Sequence, residues 1–215
     1  TDSQRRLWAP WPSSQWQLLR LDAAGQVIDS VITPQFVSSL VAGQHGNVFG
    51  RVNSTGGAMG LDADGDVLWA SPFGGAFWWF GWADTIVKPC VTAGGELWFG
   101  GLEECFAGES PLLAHVDTRD GGFPGAISFP GFSQCQYGRI YQLTAALDGS
   151  MWAMVAGLPG AGFGLKLART DGASVFQIIA HDSLWNGTYD SPYLCVDGLG
   201  QLLCNVFSHQ SCYEI

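Results

Sequence analysis

Charge is scarce in this sequence. Charged residues make up 13% of its 215 residues, against about 25% in an average globular domain. Lys and Arg number 9 and Asp and Glu 19, for a net charge of -10. Attraction to phosphate needs clustered Lys and Arg, so the composition excludes a nucleic-acid partner and docking on an anionic membrane surface. No stretch of about 18 consecutive apolar residues occurs, so no helical membrane insertion is expected. Disorder is excluded too, because it needs low hydrophobicity and 47% of the chain is hydrophobic. Several chemical motifs are missing. There is no CxxC or CxxCH for a zinc ribbon, a thioredoxin-like centre or a haem, no GxSxG for a nucleophile elbow, and no GxGxxG or phosphate loop opening a helix. The Gly-rich stretch 157–164 lacks the Lys and the helix a phosphate loop requires. No cofactor is therefore expected. No apolar stripe at helical spacing persists, because Gly and Pro interrupt almost every window.

What is abundant is glycine and tryptophan, with Gly 30 and Trp 10, and a repeat organises them. Gly, any residue, then two apolar residues recurs as Gly46-Asn47-Val48-Phe49, Gly95-Glu96-Leu97-Trp98, Gly149-Ser150-Met151-Trp152 and Gly200-Gln201-Leu202-Leu203, with Arg5-Arg6-Leu7-Trp8 as a degenerate copy. A second pattern alternates with it: an apolar run ending in Asp, then Gly. It appears at Asp22 to Gly25, Asp62 to Gly65, Asp117 to Gly121 and Asp171-Gly172, each followed by an apolar strand. Each unit is four short strands, A to D, joined by turns whose Asp and Gly supply the positive φ of tight hairpins. A unit of about 40 to 55 residues has the period of a propeller blade. The expected fold is all-β: one β-propeller domain over residues 1–215, built of four-stranded antiparallel blades.

The phase at the two ends sets the expected blade count. The N-terminus enters with B, C and D strands; three full blades follow at about 36–72, 86–130 and 139–180; the C-terminus supplies A and B strands and the start of C. Pairing of the termini would make one composite blade, close a ring of about four and leave no open sheet edge. The alternative is a piece of a larger propeller. Trp98 and Trp152, inside B strands, are expected in the core.

Units such as Val91-Thr92-Ala93-Gly94-Gly95-Glu96-Leu97-Trp98-Phe99-Gly100, followed by a strand ending in Asp and Gly, resemble the blades of streptogramin-lyase-like and NHL-type β-propellers. The resemblance covers most of the chain as a repeat pattern. It implies a propeller, and for its lyase members it implies His and Glu holding a divalent metal. The four His, at positions 45, 115, 181 and 209, map to different blade positions and are not expected to converge, so no metal ligands and no catalytic residues are assigned.

The functional signal lies in loop asymmetry. The A–B and C–D turns on one face are short. The B–C and D–A connections on the other are long: 74–82, 102–111, 130–138, 158–164 and 181–192. Loops positioned by a rigid scaffold carry function. Trp78, Trp79, Trp82, Tyr137, Trp185 and Tyr189 fall on this long-loop face, and clustered aromatics suit a sugar ring or an apolar protein patch. Trp78 and Trp79 are neighbours, so in an extended segment one faces the blades and the other solvent.

The six cysteines point to a secreted, extracellular or periplasmic chain. Thr1 is not Met, and a leader removed ahead of it fits this reading. Bridges are expected at Cys105–Cys135 and Cys204–Cys212; Cys195 could face Cys204 instead, and Cys90 is either a buried thiol or a partner of Cys195. Two glycosylation sequons occur, at Asn53 and Asn186. The run Asp62-Ala63-Asp64-Gly65-Asp66 opens like a calcium loop, but its twelfth position is Phe73 rather than Glu. The expected function is a secreted propeller that binds a carbohydrate or protein partner through its long-loop face. The alternatives are a metal-dependent lyase-like propeller enzyme and a self-assembling subunit of an extracellular structure.

Overall fold

The computed structural model describes residues 6–12, 16–52, 57–72, 88–105, 108–123, 126–128, 138–157, 164–170, 177–182, 193–208 and 211–214. They form eighteen strands in five antiparallel sheets. The first sheet holds β1 (Leu7–Pro12), β2 (Trp16–Leu21) and β3 (Val27–Ile32). The second holds β4 (Val37–Ala42), β5 (Val48–Val52), β6 (Gly57–Leu61) and β7 (Val67–Pro72). In the third are β8 (Cys90–Val91), β9 (Leu97–Cys105), β10 (Gly108–Val116) and β11 (Ala126–Ser128). The fourth has β12 (Gly138–Ala145), β13 (Met151–Gly157), β14 (Gly164–Thr170) and β15 (Gln177–Asp182). Strands β16 (Tyr193–Val196), β17 (Leu202–Ser208) and β18 (Ser211–Glu214) make the fifth. Within every sheet the strands lie side by side in chain order, the meander of a propeller blade. The A–B turns share a positive-φ glycine: Gly46, Gly95, Gly149 and Gly200 hold φ of 86°, 84°, 85° and 81°.

Two expectations change here. The ends do not share a composite blade. The first sheet brings its own B, C and D strands and the fifth its own A, B and C. Both B and C are therefore present at each end, the two sets cannot complete one another, and among the described strands the termini belong to separate three-stranded sheets. The expected B–C loop 102–111 is also not a loop. Strands β9 and β10 pair continuously from Leu97↔Val116 out to Cys105↔Gly108. The sequence reads as a break because of Pro111. Among the described residues β11 pairs with Leu112, Leu113 and Ala114, and no described strand lies on the far side of β10 at Pro111; an edge position tolerates proline.

Successive sheets touch along their inner strands: β1 lies against β4, β4 against β8, β9 and β10 against β12, and β12 against β16. The core sits between them in three clusters. Leu18 of the first sheet packs with Val37, Val52, Met59 and Leu61 of the second. Phe49, Ala58 and Trp69 of the second pack with Leu97, Phe99, Leu112, Ala114 and Val116 of the third. Cys90, Trp98 and Leu113 of the third pack with Ile140, Leu143, Met151 and Ala153 of the fourth. Trp98 is fully buried as expected, whereas Trp152 is half-buried. Polar clamps cross the same seams. Arg20 pairs with Asp29 on the neighbouring strand, donates to Ala63 O of the second sheet at 3.0 Å and lies over the Trp8 ring at 5.5 Å.

Candidate functional site

A cleft of about 720 Å³ opens between the second and third sheets. It lies at the end that carries the A–B and C–D turns, opposite the long-loop face. Its walls are the A–B turn of the second sheet (Gln44, His45, Asn47), the A–B turn of the third (Gly94, Gly95, Glu96) and the end of β10 with its C–D turn (His115 to Arg119); Phe49, Leu68 and Val91 add apolar surface.

Local sequence explains why the space exists. In the A–B turns of the third and fifth sheets the first residue caps the turn with its side chain, whereas the fourth has Ala146 there and Asp148 Oδ1 accepts the N–H of Ser150 at 3.0 Å. Asp197 Oδ1 accepts the N–H of Leu199 and Gln201 at 2.9 and 2.8 Å, and Thr92 Oγ1 accepts the N–H of Glu96 at 3.2 Å. In the second sheet that residue is Gly43. A Cβ there would lie 2.3 Å from Cε2 of Phe49, whose ring stacks on Trp69 at 5.8 Å between centroids. Phe49 thus requires glycine at position 43, and glycine removes the cap. The turn becomes a short 3-10 segment over Gln44–Gly46, with His45 at φ 58° and ψ 21°. A non-glycine residue in the left-handed region stores about 1 to 3 kcal/mol of strain, and such residues cluster at functional sites. His45 is exposed and lines the cleft.

The other wall depends on one extra residue. The C–D turn of the second sheet closes from Asp62 N–H to Asp66 O, whereas that of the third closes from Asp117 N–H to Gly122 O. The longer turn brings Thr118 over its neighbours: Thr118 Oγ1 donates to Gly95 O at 3.0 Å, and Trp69 Nε1 of the second sheet donates to Thr118 O at 2.9 Å. Gln44 Nε2 donates across the seam to Ala93 O at 3.2 Å. His115 stacks on Trp98 with ring centroids 4.6 Å apart. Arg119 folds back on Asp117, donating from its guanidinium and from its backbone N–H; these bonds hold the Asp117 carboxyl down at about 2. The cleft therefore has one cation, already paired, and two carboxylates, Asp117 and Glu96.

His45 and His115 both border the cleft, but the His115 ring lies with Trp98 on the side of the third sheet that faces the fourth. His181 lies on β15, and His209 is outside the described residues. Among the described residues no three His, Cys, Asp or Glu side chains are gathered to hold a metal ion, so this cleft does not match the His and Glu metal site that the lyase resemblance implies. At Asp62 the carboxylate is a turn cap rather than the start of a calcium loop: Oδ1 accepts the N–H of Asp64, Gly65 and Asp66, each at 2.9 Å.

The expected aromatic platform, Trp78, Trp79, Trp82, Tyr137, Trp185 and Tyr189, lies outside the described residues, as do the sequon residues Asn53 and Asn186 and the cysteine Cys135. Cys90 and Cys195 are free thiols, so they do not bridge one another. Cys105, Cys204 and Cys212 lie on β9, β17 and β18. In the last hairpin Cys212 stands opposite Phe207, three positions along β17 from Cys204. That offset is about 10 Å at strand rise, beyond the roughly 7 Å that a disulfide spans between Cα atoms. This register gives Cys204 and Cys212 no bridging position.

No family model and no curated protein matches the sequence. Solved structures do resemble the fold. The quinohemoprotein alcohol dehydrogenase of Comamonas testosteroni matches at 14% identity and TM-score 0.57, over 94% of this chain and 38% of that one. A protein from Lactobacillus plantarum matches at 12% and 0.55, over 99% and 67%. An ulvan lyase from a new family of polysaccharide lyases, bound to a GlcA–Rha3S chain, matches at 10% and 0.50, over 94% and 58%. The chain thus spans between 38% and 67% of these proteins. Likeness at this identity speaks for the fold alone, and the fold is a β-propeller of antiparallel blades.

Proposed function

We propose that this protein is a secreted propeller binding module that takes a neutral carbohydrate in the cleft between its second and third sheets. The observation that carries the reading is the lining itself. Gln44, Asn47, His45 and Thr118 offer donors and acceptors without fixed charge, beside apolar surface from Phe49, Leu68 and Val91. That mixture matches the hydroxyls and the C–H face of a sugar ring, and a volume of about 720 Å³ falls within the usual range of small-ligand sites. The charge balance disfavours anions: Arg119 is already bonded to Asp117, Glu96 adds a carboxylate, and the chain carries a net charge of -10, which steers anions away. The ulvan lyase offers a precedent for a sugar chain on a fold of this kind.

Calorimetric titration with a panel of neutral and uronic-acid disaccharides tests the proposal. Saturable binding of a neutral sugar is expected, weakened at least tenfold by Asn47→Ala or His45→Ala while the melting temperature is retained. A preference for the uronic acids, or neutral-sugar binding untouched by both substitutions, overturns the assignment to this cleft.

A further inference from the structure

We propose that the edge of the first sheet with which no described strand pairs is closed to strand addition by Pro10 and Pro12, so that a second copy of this chain cannot extend the sheet there. The argument starts on the opposite side of β2. The Thr33 N–H donates to Trp16 O at 2.9 Å, so Trp16 turns its backbone groups toward β3. Backbone direction alternates along an antiparallel strand. Leu18 and Arg20 therefore also serve β3, while Gln17, Leu19 and Leu21 serve β1. The register pairs those three with Trp11, Ala9 and Leu7. The alternate residues of β1, Pro10 and Pro12 among them, consequently direct their backbone away from β2, at the free edge.

Proline has no N–H. At both positions the edge offers a carbonyl and no donor, and an incoming strand would leave its facing carbonyls unbonded. Proline at edges is a known means of blocking edge-to-edge association. This edge needs such a block. Leu7 and Trp11 of β1 are 40% and 52% exposed, and an apolar, exposed edge is a template for pairing. The placement is selective as well: β4, β8, β12 and β16, the innermost strands of the other four sheets, contain no proline. Among the described strands, proline occupies the innermost one only in the first sheet, where no described strand lies inside β1.

The test restores the donors. The Pro10→Val/Pro12→Val variant should self-associate at least tenfold more tightly than wild type in sedimentation velocity over a concentration series, with new exchange protection of the amides at positions 10 and 12 that grows with concentration. A folded variant whose association matches wild type overturns the proposal. Should the double variant not fold by circular dichroism, the unmodified protein decides the matter. A synthetic peptide of the β4 sequence, Val37 to Ala42, is added in excess and hydrogen exchange is followed along β1. No added protection is expected; saturable protection of β1 overturns the proposal.

Discussion

The first and second sheets use strands of similar character and bury them very differently. β6, with the sequence Gly-Ala-Met-Gly-Leu, is buried at every position, as is β5 beside it. β3 has more aliphatic side chains, yet Val27, Ile28 and Ile32 are 57%, 54% and 62% exposed. The difference is one of neighbours. β5 and β6 are the middle strands of a sheet with sheets on both of its faces. β3 is the outer strand of a sheet at the end of the series. Burial in a propeller is thus set by blade position, and apolar content alone misjudges it.

The largest effect should come from removing side chains at the two extremes of this comparison. Met59 is fully buried among Leu18, Val37, Val52 and Leu61. Met59→Ala should cost about 2 to 5 kcal/mol, and Ile32→Ala no more than about 0.5 kcal/mol. Urea unfolding measures both. Comparable losses would show that the outer face of the first sheet is as well packed as the inner one, and would break the comparison.

A finer version uses one turn position in both sheets. Gly25 and Gly65 hold the same place in their C–D turns, at φ 80° and 95°. A Cβ on Gly25 meets nothing within 4 Å, whereas one on Gly65 lies 2.4 Å from Cγ2 of Val31, across the seam between the sheets. Gly25→Ala should cost only the left-handed strain, about 1 to 2 kcal/mol. Gly65→Ala should add about 1 to 3 kcal/mol of overpacking. Equal shifts in melting temperature would mean that Val31 moves aside freely and that the seam is loose.

These turns also mark what could be read without a structure. The Asp caps, the positive-φ glycines and the strand order of each unit follow from local chemistry, and local chemistry is visible in a sequence. Closure was not: the sequence already places B and C strands at both ends, and only the pairing shows that, among the described strands, the two sets stay in separate sheets. The β9–β10 hairpin was hidden by Pro111, which reads as a strand break in the sequence yet lies within β10. The cleft was missed because its two walls belong to different sheets and come together only through stacking of blades. Two signals pointed to it nonetheless: Gly43 where the other turns carry Thr, Ala or Asp, and the extra residue between Asp117 and Gly122.

A third comparison sets a seam against a surface within the cysteines. Cys90 is buried between the third and fourth sheets, and burial pushes its thiol up to about 12. Cys195 is exposed on the fifth sheet. Reactivity follows thiolate content and access. Iodoacetamide at neutral pH, read by peptide mapping, should modify Cys195 in the folded protein and Cys90 only after unfolding. Labelling of both at similar rates would mean that the seam behind Trp98 opens readily.

The smallest effect concerns two Arg–Asp pairs, one at a seam and one at the rim of the cleft. Both carboxyls sit below their ordinary value, Asp29 mainly because Arg20 bonds to it and Asp117 mainly because Arg119 does. A depressed carboxyl contributes stability above its unfolded value, near 3.8, and loses that contribution as pH falls through its folded value, which for Asp117 is about 2. The window for Asp117 therefore lies between about pH 4 and 2. The side chains differ in setting: Arg20 is 14% exposed and bonds the second sheet, whereas Arg119 is 86% exposed. An exposed pair is screened by water and salt. Arg119→Ala should leave the unfolding midpoint at neutral pH unchanged, yet raise the Asp117 carboxyl in an NMR titration. The rise should stop short of 3.8, because the backbone N–H of residue 119 still donates to Oδ1. Arg20→Ala should lower the midpoint, since it also removes the bond to Ala63 and the contact with Trp8. Should Arg119→Ala destabilise the fold as much as Arg20→Ala, the Asp117–Arg119 pair is part of the seam between the second and third sheets, and the cleft is a structural joint rather than a binding site.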